Sequence, residues 1–290
     1  MPNSATISDY PDYPDYPDNY PDYAVCVSCG TQFPSADAPP ERCPVCEDDR
    51  QHVGWDGQRW TTMRRLAVDH SNRVEADGAL LGIGVSPRFA IPQRALLVET
   101  DAGNILWDCV SLVTEDAVAA LEERGGVDMI AISHPHFYSS MVEWSDALGG
   151  VPIHLHEADR QWVQRHSSNL SWWSGERCQL SATVSLLHLP GHFPGSSALY
   201  WTAGPNGRRL LLVGDSLLVA DDRRHISVMH SVPNHLPVGP SVIRDLRDRL
   251  NGVEFDDVYG WTWGLNVIGG ADRKVAASLD RYLDAIESPR

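Results

Sequence analysis

Ser133-His134-Pro135-His136-Phe137-Tyr138-Ser139 is the stretch on which the reading of this chain turns. It follows residues 128–132, a short apolar run suited to a buried strand. In extended geometry residues i and i+2 point the same way, so both histidines at the strand end can reach one metal ion. Pro135 between them stiffens that arrangement. Working outward, residues 184–189 form a second apolar run that leads into Pro190-Gly191-His192. Residues 210–213 form a third, leading into Gly214-Asp215. In both places glycine permits a sharp exit from the strand. Three imidazoles and a carboxylate, each just past a strand, suit zinc, with iron as the second choice.

The rest of the chain falls into three parts. Residues 1–23 hold a near-repeat of Asp, Tyr and Pro. Regular proline opposes helix and strand pairing, and the acidic charge repels itself, so the expectation is a disordered or extended tail. Residues 24–54 carry Cys26-Val27-Ser28-Cys29-Gly30 and Cys43-Pro44-Val45-Cys46. Two C-x-x-C turns can close four thiolates around zinc or iron, and Gly30 allows backbone amides to face the sulfurs. This segment resembles a short rubredoxin-like ribbon. A structural zinc site is preferred to electron transfer. Residues 55–290 alternate strand and helix signals. Segments 94–99 and 105–108 flank the turn Asp101-Ala102-Gly103-Asn104 as a hairpin. Thr114 caps a helix ending before Gly125, Ser241 caps one ending near Gly252, and residues 139–148, 158–165 and 271–286 also read as helical. Hairpins mixed with strand–helix units imply two mixed sheets covered by helices, an α/β (α+β) domain.

Composition narrows the function. The chain has 39 acidic and 23 basic residues, a formal charge of −16. A phosphate backbone would be repelled, so no nucleic-acid partner is expected. No apolar run reaches the roughly 18 residues of a membrane span, and no basic-then-apolar leader is evident. A cytoplasmic protein acting on a small molecule is expected. Of six cysteines, Cys109 and Cys178 stand apart from the ribbon, and Cys109 reads as a buried hydrophobe. No G-x-S-x-G elbow is present, so a serine hydrolase has no support.

The three histidine and aspartate motifs together resemble the metallo-β-lactamase superfamily over about residues 75–270. The resemblance implies an αββα sandwich with metal at the sheet edges. The family pattern is H-x-H-x-D-H, a later histidine in a P-G-H motif, an aspartate in G-D, and a last histidine. His134, His136, His192 and Asp215 match four of these positions. Tyr138 and Ser139 replace the Asp and His of the first motif, and no histidine stands near Tyr259-Gly260-Trp261-Thr262-Trp263-Gly264. The resemblance therefore implies one metal held by His134, His136 and His192, with Asp215 as fourth ligand or water partner.

Tyr138 is kept as a candidate ligand or acid, although a free phenol titrates near about 10. His154 and His156 repeat the i, i+2 spacing, so His156 is a candidate to line the site beside Asp159; His230 and His235 are weaker candidates. Phe137, Phe193, Trp261 and Trp263 could wall an apolar substrate pocket. The preferred expectation is hydrolysis of an ester, thioester or lactone by metal-activated water, with Asp215 and Tyr138 as the catalytic side chains. One alternative is an iron-dependent persulfide dioxygenase using His134, His192 and Asp215. The other is a non-catalytic binding protein stabilised by its metals.

Overall fold

A computed structural model describes residues 22–288 of the chain. Most of the tail expected over residues 1–23 therefore lies outside the described residues. At the N-terminal end, β1 (Ala24–Cys26) pairs antiparallel with β2 (Trp60–Thr62), and between them lies the one-turn helix α1 (Pro44–Glu47). A short helix, α2 (Met63–Leu66), follows.

Two sheets then form in sequence order. The first has seven strands: β3 (Ser71–Asp77), β4 (Leu80–Ser86), β5 (Ala95–Val98), β6 (Ile105–Trp107), β7 (Met129–Ala131), β8 (Ile153–His156) and β9 (Leu170–Trp173). It is antiparallel through β6 and parallel from β6 to β9. Helices α3 (Glu115–Glu122) and α4 (Met141–Ala147) interrupt its parallel part. The second sheet holds β10 (Arg177–Gln179), β11 (Val184–His188), β12 (Ser197–Trp201) and β13 (Leu210–Leu212). Two small ribbons follow, β14 (Leu218–Val219) with β15 (Ile226–Ser227) and β16 (Met229–Ser231) with β17 (Leu236–Pro237). Helix α5 (Pro240–Leu250) leads to β18 (Asp257–Tyr259), which lies parallel to β13, then to β19 (Asn266–Ile268) and α6 (Ala271–Glu287).

The layer order follows from side-chain alternation. Along β5, Ala95 and Leu97 face α3 and α4, whereas Leu96 and Val98 face the other sheet. In β13, Leu210 and Leu212 face the first sheet, and Leu211 with Val213 faces α5 and α6. A period of two with both faces apolar needs a cover on each side, and helices supply the outer ones. The result is αββα, as expected from the sequence. Between the sheets, buried Arg94 pairs with Asp77 and donates to the Gly260 carbonyl at 2.9 Å and Asn266 Oδ1 at 3.0 Å.

The hairpin over 94–108 forms as read, with Leu96 opposite Trp107. Thr114 Oγ1 accepts the Ala117 N–H at 3.3 Å and caps α3. Three local readings change. Ser241 is not a cap: α5 starts at Pro240, whose fixed φ suits the first helical position, with Gly239 before it. Residues 157–162 form a 3₁₀ helix rather than an α-helix over 158–165. Residues 135–137 are also a 3₁₀ turn, so His136 does not lie in extended chain beyond His134. Pro135 drives this, because its ring fixes φ in the helical range.

Candidate metal centre

Four side chains converge where strand ends of the two sheets meet. His134, in extended chain after β7, turns its ring inward and meets Ser133 Oγ through Nδ1 at 2.9 Å. The 3₁₀ turn then brings His136 round, with its Nδ1 3.3 Å from His192 Nε2. His192 follows β11 and hydrogen-bonds the Met229 carbonyl through Nδ1 at 3.1 Å. That contact fixes the tautomer and leaves Nε2 as the free lone pair. Asp215 Oδ2 stands 3.6 Å from His134 Nε2 and 4.0 Å from His192 Nε2. Gly214 makes this approach possible. Its φ is +50°, and a Cβ there would lie 2.6 Å from Ser133 Cβ.

The donor chemistry fits a metal ion. One donor atom from each of the four residues can be chosen so that all lie within 4.8 Å of one another. All four residues are buried, and His134 Nε2, His136 Nε2 and Asp215 Oδ1 have no hydrogen-bond partner. Orphaned buried polar atoms are costly unless something shared satisfies them. Bonds of about 2.0–2.1 Å to tetrahedral zinc place nitrogen donors about 3.3 Å apart, the separation seen between His136 and His192. Burial, reinforced by the neighbouring histidines, pushes His136 well below the usual imidazole range and His192 down to about 4. Both rings therefore offer lone pairs at neutral pH. Burial pushes Asp215 up, but the approach of the His134 and His192 rings outweighs it, leaving the carboxyl below its usual value.

Asp108 supports the centre and was not assigned a role from the sequence. It sits just past β6 at φ +66° and accepts the Ser133 N–H through Oδ1 at 2.7 Å. Burial pushes it up to about 8 against that hydrogen bond. An aspartate ending a hairpin strand was the available signal.

A cavity of about 220 Å³ opens over the centre, and His136, His192, Asp215 and Trp261 contribute to its wall. Of the aromatic candidates, Trp261 alone lines it. Phe193 lies instead behind the ligands, with its ring 5.0 Å from those of His136 and His192. Phe137 stacks edgewise on His134 at 5.0 Å from within the core under α4. Trp263 packs on the glycines of β4, Gly82 and Gly84, beneath Arg73. His156 stacks on His188 with centroids 4.1 Å apart and stands outside the four-residue cluster. Tyr138 is buried in the same core as Phe137, and burial holds its phenol well above the usual range, against a role as an anionic ligand. His230 is taken up by Asp49 at 3.0 Å.

The four cysteines form a second cluster. All are buried, with Cys26 Sγ 3.5 Å from Cys46 Sγ and Cys29 Sγ 3.7 Å from Cys43 Sγ. These distances exclude disulfides and approach the roughly 3.8 Å edge of a tetrahedral zinc–thiolate site. Hydrogen bonds from the other three sulfurs draw Cys26 far below the usual thiol range. Contacts with Cys26 and Cys43 push Cys29 and Cys46 up. Four thiolates packed this closely need a shared cation. Gly30 closes its turn by donating to the Cys26 carbonyl at 2.8 Å. The sulfur contact comes from Gln58 Nε2, 3.2 Å from Cys26 Sγ. The module also reaches the other centre: Ser28, Arg50, Gln51 and His52 line the same cavity as His136 and Asp215.

Among the described residues no helix is long and apolar enough to cross a membrane. No protein-family model matches the chain. It is 37% identical over 269 residues to the uncharacterized protein YmaE of Bacillus subtilis (strain 168), covering 92% of this chain and 97% of YmaE. Among solved structures, a class B3 metallo-β-lactamase with an active-site glutamic acid aligns with a TM-score of 0.51 at 14% identity, covering 83% of this chain and 97% of that one. The metallo-β-lactamase GOB-18 from Elizabethkingia meningoseptica aligns at 0.46 and 14% identity, covering 73% and 91% respectively. The chain belongs to the family of Bacillus subtilis YmaE, and its fold is that of the metallo-β-lactamases.

Proposed function

We propose that this protein is a metal-dependent hydrolase of small esters, thioesters or lactones, with one catalytic metal. The observation that carries the reading is the convergence of His134, His136, His192 and Asp215, with unpartnered buried donor atoms, beside a cavity. A zinc ion in such a donor set acidifies water and polarises a carbonyl oxygen. The chain's own residues do the rest. His136 and His192 present neutral nitrogens, because burial keeps them unprotonated. Asp215 borders the cavity and stays ionised, so it can hold a proton taken from water. Trp261 with Leu218 and Val232 supplies an apolar wall for the acyl part. The four-cysteine site is proposed to hold a structural zinc ion.

The test is elemental analysis of the purified full chain, with visible absorption, followed by a thioester and ester screen. Zinc in both sites and turnover lost in His192→Ala would support hydrolysis. A colourless, metal-loaded protein inactive on every ester and thioester would refute it. A second reading is favoured by the approach of the cysteine module to the cavity: an iron-dependent oxidation of a persulfide. Iron bound at the histidines, with oxygen uptake on adding glutathione persulfide, would establish that instead.

A further inference from the structure

We propose that the cavity selects molecules with a carboxylate on a short apolar body, and that Arg88 reads the charge. The proposal deepens the hydrolase reading by naming its substrate class. It starts from a mismatch of charge. In a chain with 39 acidic and 23 basic residues, acids should outnumber bases in a wall drawn at random. Here the one carboxylate of the wall is Asp215, a member of the ligand cluster, while Arg50, Arg88 and His52 are basic.

These three groups are not equivalent. Arg50 is engaged by Asp48 at 2.7 Å, by the His192 carbonyl at 2.8 Å and by the ring of Phe193 at 4.5 Å. His52 is exposed and carries an imidazole, which lacks the two-pronged fork of a guanidinium. Arg88 is exposed on the loop between β4 and β5, and among the described residues it has no carboxylate, carbonyl or ring partner. Elsewhere in this acid-rich chain, Arg73, Arg124, Arg165, Arg208, Arg209 and Arg244 each meet a carboxylate. A guanidinium left unpaired at the rim of a site is a ready two-pronged partner for a planar anion.

The remaining wall sets the rest of the ligand. Ile91, Pro92, Leu218, Val232, Pro233 and Trp261 are apolar. The volume of about 220 Å³ falls below the roughly 300–1,000 Å³ of drug-sized sites, so the body is short. One free guanidinium in a wall that also holds Asp215 suits a monoanion, and a dianionic phosphate would lack a second free cation.

The test is calorimetric titration of the metal-loaded full chain with phenylacetate, its neutral isostere phenylacetamide, and phenylphosphonate. Phenylacetate is expected to bind about tenfold tighter than the amide, as one charge-assisted pair supplies. In Arg88→Gln the preference disappears while amide binding is kept, and Arg88→Lys restores part of it. Equal binding of acid and amide by the wild type would overturn the proposal. So would a preference that survives Arg88→Gln, or tighter binding of phenylphosphonate than of phenylacetate. Turnover of the neutral thioester S-phenyl thioacetate by the same preparations is read separately. Absence of turnover here and on every ester and thioester of the wider screen, carboxylate-bearing ones included, would sink the hydrolase reading and leave the carboxylate preference standing.

Discussion

Arg50 Nε donates to the backbone carbonyl of His192 at 2.8 Å. This one hydrogen bond joins the cysteine module, whose last thiol is Cys46, to the loop that carries a metal-site histidine. The guanidinium also lies over Phe193, the ring that backs His136 and His192. A change in one metal site therefore has a short route to the other.

Arg50→Ala should destabilise the metal-loaded protein by about 2 kcal/mol in urea unfolding, since Arg50 is largely buried and a charge-assisted hydrogen bond and an ion pair are lost together. Metal at the histidine site should also pass faster to a chromogenic chelator. Arg50→Lys keeps the charge but loses the planar stack, and should fall between. Unchanged chelation rates would show the two sites to be uncoupled.

The purified protein should hold about two metal ions per chain, and His134→Ala about one. In the Cys43→Ser, Cys46→Ser double variant the ribbon ion should go, with weaker retention at the histidines through Arg50. Full metal content in His134→Ala, measured by mass spectrometry of the elements, would argue against a histidine site.

Stability of the metal-free protein should fall with acid. Burial lowers His192 from 6.5 to about 4, so between those values the unfolded chain binds a proton that the folded chain does not. The stability is present in full above pH about 6.5 and is lost as pH falls towards about 4, by up to roughly 3 kcal/mol. Urea unfolding across this window should show the slope, and His192→Asn should flatten it by about one proton. Parallel slopes would contradict the burial of a neutral ring.

Gly214→Ala should cost about 2–4 kcal/mol and strip metal from the histidine site. The left-handed φ disfavours a side chain, and the added methyl meets Ser133. Thermal melting with metal analysis tests this; a stable, fully loaded variant would mean that the strand exit relaxes freely.

Arg94→Ala should cost about 3–5 kcal/mol, because Asp77 is left charged and buried between the sheets. Arg94→Ala combined with Asp77→Ala should recover part of the loss in denaturant titration.

How much of this was legible depends on how local each property is. The hairpin over 94–108, the cap at Thr114, the paired C-x-x-C turns and the four ligand types beside strand ends were all readable. Each is set by a period of two, a backbone dihedral or a donor atom within a few residues. The sequence by itself thus determined the layer order and which residues could bind metal. Only the tertiary structure decided what surrounds them. Trp263 went to the space left by Gly82 and Gly84, Phe137 and Tyr138 to the core, and His156 to His188, while Arg50 came across from the ribbon. An aromatic or charged side chain has several acceptable burials, and the choice depends on partners distant in sequence: 142 residues separate Arg50 from His192.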